Sequence, residues 1–236
     1  MFKTCVAISI AAVFVGLLIS GNAANADTLT GCLKPNGTLV NLAVGDTPSK
    51  PCKPNETEVS LRTEDTQKYI FVSSLASKGN VGGLSGANSI CQDDADDNSL
   101  PGVYKAWLSL TTDGPQSTFV PARVPYVLPG SFDVVADDWT ELTSGALAHA
   151  IDRHADGTSI AAGQEFWTGT RANGLPSSLD PFGLADSLIT DNCVRWFAEI
   201  SERSGVVGTS GAVDSTWSDL TRRPCNTELR HICVQQ

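Results

Sequence analysis

GNVGGLSGANSIC, Gly79 to Cys91, sets four glycines within eight residues and then runs into a cysteine. A glycine-rich stretch that opens a helix can cradle phosphate on its backbone N–H groups. Here Gly79, Gly82, Gly83 and Gly86 are spaced G-x-x-G-G-x-x-G, so GxGxxG is absent, and no Lys-Ser/Thr follows Gly86. The other reading is geometric: glycines let the chain turn off a strand and pass close to its neighbours. Leu84, Ala87, Cys91 and Ala95 then recur close to helical spacing, which predicts a short helix over Leu84–Ala95. Gly86 and Ala87 keep one face of that helix thin, so that Cys91 can reach another element. The stretch reads as the approach to a covalent staple.

Outward from it the chain alternates short apolar runs with long polar ones. KYIFVSS (Lys68–Ser74) and YKAWLSL (Tyr104–Leu110) read as strands, as do EFWTGT (Glu165–Thr170), NCVRWF (Asn192–Phe197) and RHICVQ (Arg230–Gln235). DDWTELTSG reads as a second short helix, with Asp137-Asp138 at its start and Gly145 at its end. Stretches rich in Gly, Ser, Pro and Asp separate them. Two helices near the front, short strands and much irregular loop make an α+β pattern.

Upstream lies a smaller unit, residues 27–61. CLKPNGTLVNL (Cys32–Leu42) reads as strand, turn, strand, with Asn36-Gly37 suited to the positive φ angles of a tight hairpin turn. Cys32 and Cys52 flank it, and closing that loop would stabilise so small a core by about 3 kcal/mol. RTEDTQK, residues 62–68, is polar and reads as a linker to the larger domain, 69–236. Asn36-Gly37-Thr38 and Asn55-Glu56-Thr57 are formal glycosylation sequons that turn chemistry explains equally well.

Residues 1–26 read as an export signal: Lys3 is the positive end, Val6–Ile19 the apolar run, and Ala24-Asn25-Ala26 the small-x-small site, with cleavage after Ala26. No later stretch is long and apolar enough to span a bilayer. The expectation is a secreted, periplasmic or cell-surface protein. Loss of Lys3 takes the formal charge from −10 to −11, which argues against nucleic acid and anionic membranes as partners. Cys32, Cys52, Cys91, Cys193, Cys225 and Cys233 then remain, an even number that fits disulfides in an oxidising compartment. There is no CxxC, and His149, His154 and His231 have no ligand spacing.

Taken in order, GLSGANSICQDDADDNSLPGVYKAWLS, DDWTELTSG, FWTGTRANG, DNCVRWF and the tail WSDLTRRPCNTELRHIC resemble endostatin, the collagen-derived C-type-lectin-like domain. The resemblance covers about Lys68 to Gln236, and the combination also looks like a family of exported bacterial proteins carrying a small Cys-bracketed module. It implies a C-type-lectin-like fold with two short helices, short antiparallel strands and long loops. It also implies a nested pairing: Cys91–Cys233 from the first helix to the last strand, Cys193–Cys225 within the loop region, and Cys32–Cys52 separate.

The resemblance raises calcium as the one cofactor to test. Sugar-binding C-type lectins hold it through a Glu-Pro-Asn or Gln-Pro-Asp triplet followed by Trp-Asn-Asp. Here Trp217-Ser218-Asp219 has Ser in place of the ligand Asn, Leu179-Asp180-Pro181 is no match for the triplet, and Asp219 is the one ligand position kept. QDDADDN, residues 92–98, fails as a calcium loop, with Ser99 where the sharp-turn Gly belongs and Lys105 where the bidentate Glu belongs. Endostatin binds heparin through clustered arginines, and Arg222, Arg223 and Arg230 are the candidates for an anionic ligand, against salt bridges to the many acids.

Enzyme motifs fail. Gly83–Ala87 and Gly208–Ala212 each place Ala where a nucleophile elbow needs its last Gly, and neither HExxH nor a Walker lysine is present. The expectation is therefore a non-enzymatic module that recognises an extracellular glycan or protein. Its contacts would come from the loops between Thr111 and Val127 and between Arg171 and Asn192, since loops on a rigid scaffold carry such sites. Of the five tryptophans, at least four are expected in the core, leaving at most one to stack on a sugar. The alternative is a structural subunit of a surface fibre or complex, and a hydrolase comes third.

Overall fold

A computed structural model describes residues 28–45, 47–62, 66–177 and 192–236. The proposed signal segment 1–26 lies outside them, as do 63–65 of the linker and 178–191 of the second expected ligand loop. The described chain is mixed α+β with mostly sheet, as the alternation of short apolar and polar runs predicts.

Residues 28–62 form a three-stranded antiparallel sheet of β1 (Thr28–Leu33), β2 (Leu39–Val44) and β3 (Thr57–Arg62), in the order β2-β1-β3. The expected hairpin is present as β1 and β2, turned at Gly37 with φ of 82° and a Gly37 N–H donated to the Lys34 carbonyl. Thr38 N–H donates to the Asn36 side chain, so Asn36 fixes the turn without entering positive φ itself. The hairpin expectation stops one strand short. TEVSLR alternates polar and apolar residues and pairs with β1 along its whole length. Cys32 and Cys52 are bridged, and the bridge draws the β2–β3 loop over the face that carries the buried Thr30 and Cys32.

The second sheet has eight strands. Its path runs β10 (Thr221–Pro224), β9 (Ser204–Thr209), β8 (Glu165–Trp167), β11 (Arg230–Gln235), β4 (Lys68–Val72), β6 (Tyr126–Val127), β7 (Val134–Ala136), with β5 (Tyr104–Ala106) also on β11. The pairings are not all antiparallel as expected: β4–β6 and β8–β11 are parallel. Long crossings through loops replace hairpins at those two places, which a count of short strands cannot reveal.

The helix α1 spans Gly83–Asp97, longer than the short helix expected. Ala87, Cys91 and Ala95 form its buried face, packed with Phe71, Tyr104, Ala106 and Cys233. Asn88 and Gln92, one turn apart, accept the β5 N–H groups of Ala106 at 2.9 Å and Tyr104 at 2.8 Å. Asp94, from the acidic run, accepts from Ser74 N–H at 2.7 Å and Ser74 Oγ at 2.8 Å. The acidic run is thus a helix end whose one buried carboxylate holds the exit of β4. DDWTELTSG contributes a single turn, α3 (Trp139–Leu142), capped by the Asp138 side chain, and PQST forms another, α2 (Pro115–Thr118).

NCVRWF is not a strand. Cys193–Trp196 is a left-handed turn with φ between 48° and 66° at four successive non-glycine residues, a conformation L-residues adopt only where their surroundings impose it. Asn192 caps the turn: its side chain accepts from Arg195 N–H at 2.9 Å, and its carbonyl accepts from Trp196 N–H at 2.7 Å. The buried Cys193 bridge and the buried Trp196 ring hold the two ends.

The glycines of the opening stretch serve this turn. A Cβ at Gly79 would fall 2.5 Å from Cys193 Sγ, and one at Gly83 would meet the Phe197 ring at 3.0 Å. Gly79 N–H donates to the Cys225 carbonyl and Gly82 N–H to that of Trp196. Gly86 has a different role from the one expected: a Cβ there would overlap the Val81 carbonyl, so it clears the chain's own entry into α1. Ala87 alone thins the face toward the last strand.

Candidate functional site

The structure joins Cys91 to Cys233 and Cys193 to Cys225, the latter bridge lying within the sequence span of the former. These are the pairs the resemblance implies. All four sulfurs belong to fully buried residues. One bridge ties α1 to the central strand β11, and the other ties the left-handed turn to the segment after β10.

Over this frame, the two expected ligand loops meet. Gln116 N–H, at the start of α2, donates to the Gly174 carbonyl at 3.0 Å. Gly114 and Gly174 make that approach possible: a Cβ at Gly114 would fall 2.7 Å from the Gly174 carbonyl, and one at Gly174 3.0 Å from Gln116 N. Gly174 also has a φ of 76°, where glycine alone is unstrained. Arg171 N–H bonds the Leu175 carbonyl, and Thr170 pairs with Pro176, closing a small loop whose tip exposes Asn173 and Leu175.

Beneath the junction lies a network that sequence reasoning missed. Ser109, Thr168, Thr170 and Ser218 are all fully buried. Thr170 Oγ1 donates to the Thr168 carbonyl at 2.6 Å and accepts from Ser109 Oγ at 2.7 Å, and Thr168 Oγ1 donates to the Ser218 carbonyl at 2.6 Å. Ser218 Oγ donates to the Thr170 carbonyl at 2.7 Å and accepts from Trp107 Nε1 at 2.8 Å, while Trp196 Nε1 donates to the Ser109 carbonyl. Buried hydroxyls hold position only when paired, and here they tie three loop roots together. A signal was available: WLS, WTGT and WS each set a small hydroxyl within three residues after a core tryptophan.

This network decides what Trp217-Ser218-Asp219 does. Ser218, at the expected ligand position, faces inward as a structural donor and acceptor. Asp219 is exposed, and its carboxylate accepts from Ser177 Oγ at 3.3 Å. Among the described residues no group of three or more His, Cys, Asp and Glu is placed to hold a metal ion. Leu179-Asp180-Pro181 lies outside them.

The arginines do not form one cluster. Arg223 is held in a bidentate pair by Glu165, with both N–O distances 2.6 Å, and this pairing raises its pKa further. Arg222 is its strand neighbour on β10 and so points to the opposite face, while Arg230 opens β11 opposite Phe166.

All five tryptophans are buried, so none is displayed for stacking on a sugar. His231 is fully buried with its Nε2 2.9 Å from Ser77 Oγ, and His154 Nδ1 bonds the Val72 carbonyl. Ser210, at the centre of Gly208–Ala212, donates to the Ala161 carbonyl and accepts from Gln164 N–H, while Ser85 is an exposed residue of α1. Neither serine is bonded to a histidine. What the junction offers a ligand is exposed backbone, the Gln116 and Asn173 amides, the Leu175 side chain and the Asp219 carboxylate.

Among the described residues no helix is long and apolar enough to cross a membrane. Comparison with family models and with curated proteins finds no match to this chain.

Proposed function

We propose that residues 69–236 are a C-type-lectin-like domain of the endostatin kind, exported with its small N-terminal sheet, and that it binds an extracellular glycan or protein without catalysis. The observation that carries the reading is the stitched junction of the two loops, Gln116 to Gly174, above a fully paired hydroxyl network. A rigid base under exposed loop tips is the usual architecture of a recognition surface. The helix-to-last-strand bridge, the inner loop bridge and the α+β arrangement support the fold assignment. With no tryptophan displayed and an inward Ser218, recognition proceeds through backbone and amide contacts, not through aromatic stacking and a Trp-Asn-Asp calcium site.

The test is an array of glycans and extracellular proteins probed with the mature chain, then with Leu175→Asp and Gln116→Ala. A saturable hit weakened at least about tenfold by either substitution, a loss of about 1.4 kcal/mol, supports the reading. Hits indifferent to both substitutions, or turnover of an arrayed glycan, count against it.

A further inference from the structure

Three turns of the described chain share one wiring. In Lys34–Thr38, Arg171–Leu175 and His154–Thr158 the first residue's N–H donates to the carbonyl of the fifth. The fourth residue, a glycine, donates its N–H back to the carbonyl of the first. The third residue's side chain accepts from the N–H of the fifth: Asn36 from Thr38 at 3.1 Å, Asn173 from Leu175 at 3.1 Å, and Asp156 from Thr158 at 2.8 Å. Asn36-Gly37 and Asn173-Gly174 are the two Asn-Gly pairs in the sequence. Asparagine is a chemically labile residue, and a following glycine exposes it most, because no side chain hinders attack by the glycine nitrogen.

Loss of the amide needs the glycine nitrogen to leave its turn bond. Deprotonated, that nitrogen attacks the asparagine Cγ: the N–Cγ bond forms, the Cγ–Nδ2 bond breaks, and ammonia leaves. Water then opens the imide, at Cγ to leave aspartate or at the backbone carbonyl to leave isoaspartate. Nothing is oxidised or reduced, and water is the one co-reactant. Both pairs must break the same local bonds, so the cost of opening the surroundings sets them apart. Asn36 and Gly37 are exposed, and a Cβ built at Gly37 meets no atom of the described residues within 4 Å. Gly174 is buried, its carbonyl accepts from Gln116 N–H at 3.0 Å, and a Cβ there would fall 3.0 Å from the Gln116 nitrogen. Opening the second turn therefore takes the loop junction apart, whereas opening the first disturbs a free hairpin end.

We infer that Asn36 is a site of spontaneous deamidation, and that Asn173, in the same kind of turn, is shielded from it by the loop junction. The aspartate product fits the turn, because Asp156-Gly157-Thr158 already sets a carboxylate at that place, ahead of the same Gly-Thr pair. There the Asp156 carboxylate accepts from both the N–H and the hydroxyl of Thr158, at 2.8 and 2.6 Å. Thr38 offers the same two donors to a carboxylate at position 36. The β1–β2 hairpin thus keeps its register while an exposed turn gains a negative charge. The isoaspartate product adds a carbon to the backbone, which this wiring does not accommodate. The inference is independent of which ligand the loop junction takes.

The experiment is prolonged incubation of the mature chain in mildly alkaline buffer. Peptide mapping by mass spectrometry reads amide loss at each pair, and enzymatic methylation reads isoaspartate. Expected is loss at Asn36 at least about tenfold faster than at Asn173, and none at position 36 in Asn36→Gln, whose amide would need a larger ring. In the reduced, urea-unfolded chain the two pairs should react at similar rates. Equal rates in the folded chain, faster loss at Asn173, or a difference that persists in urea overturns the inference. So does a folded chain that keeps Asn36 intact while the unfolded chain reacts. Asn36→Asp should retain the Cys32–Cys52 bridge and the wild-type thermal midpoint; loss of either overturns the fit of the product to the turn.

Discussion

His231 is fully buried, and among the described residues Ser77 alone bonds its ring, while Nδ1 has no hydrogen-bond partner. Burial pushes its pKa down from 6.5 to about 4. In the unfolded chain the imidazole takes up a proton below about pH 6.5, whereas in the fold it does not until about pH 4. The stability this neutral histidine allows is therefore complete above pH 6.5 and lost as pH falls through that window, by on the order of 3 kcal/mol. Urea melts between pH 7 and 4 should show this slope in the wild type and a shallower one in His231→Gln. Equal slopes would show that the acid sensitivity comes from other groups. Gly79 belongs to the same scale. Its missing side chain makes room for Cys193, so Gly79→Ala should destabilise by about 1–3 kcal/mol and leave free thiols at Cys193 and Cys225 in thiol-labelling assays. Normal labelling would remove Gly79 from the account.

At the scale of elements, α1 does more than cover the sheet. Asn88 and Gln92 satisfy the β5 N–H groups, so Asn88→Ala should cost about 1–3 kcal/mol, read as a shift of the thermal midpoint without loss of Cys91–Cys233. Ser218→Ala should cost a similar amount, because it strips a partner from both Trp107 Nε1 and the Thr170 carbonyl. Much of this layer was legible. The helix from Leu84, the hairpin at Gly37 and the strands KYIFV and RHICVQ follow from periodicity and turn chemistry, which are local. NCVRWF was not legible as a turn, since its residues favour a strand and its left-handed path is imposed by a bridge to Cys225 and by the Trp196 pocket. The parallel pairs β4–β6 and β8–β11 were hidden because register is set by distant chain. At the site, the two loops were legible as loops and their junction was not: Gly114 and Gly174 reveal a close approach only once both are placed. The inward turn of Ser218 likewise depends on Trp107, 111 residues away in sequence.

At the scale of the molecule, the two bridges of the larger sheet close spans of very different length, 142 residues for Cys91–Cys233 and 32 for Cys193–Cys225. Loop entropy assigns them about 5 and about 4 kcal/mol respectively, before any native strain. Removing the outer pair as Cys91→Ala/Cys233→Ala should therefore lower stability more than removing the inner pair. Removing the inner pair should act on the loop face first, because it frees the left-handed turn beside the hydroxyl network. The proposed recognition surface rests on this frame, since the two bridges join β11, α1 and the left-handed turn beside the hydroxyl network that ties the loop roots. Its most direct test is peptide mapping of the unreduced protein by mass spectrometry. The account predicts three linked peptide pairs, Cys32–Cys52, Cys91–Cys233 and Cys193–Cys225. Cys91 joined to Cys193, or a free thiol at any of the six, would contradict it.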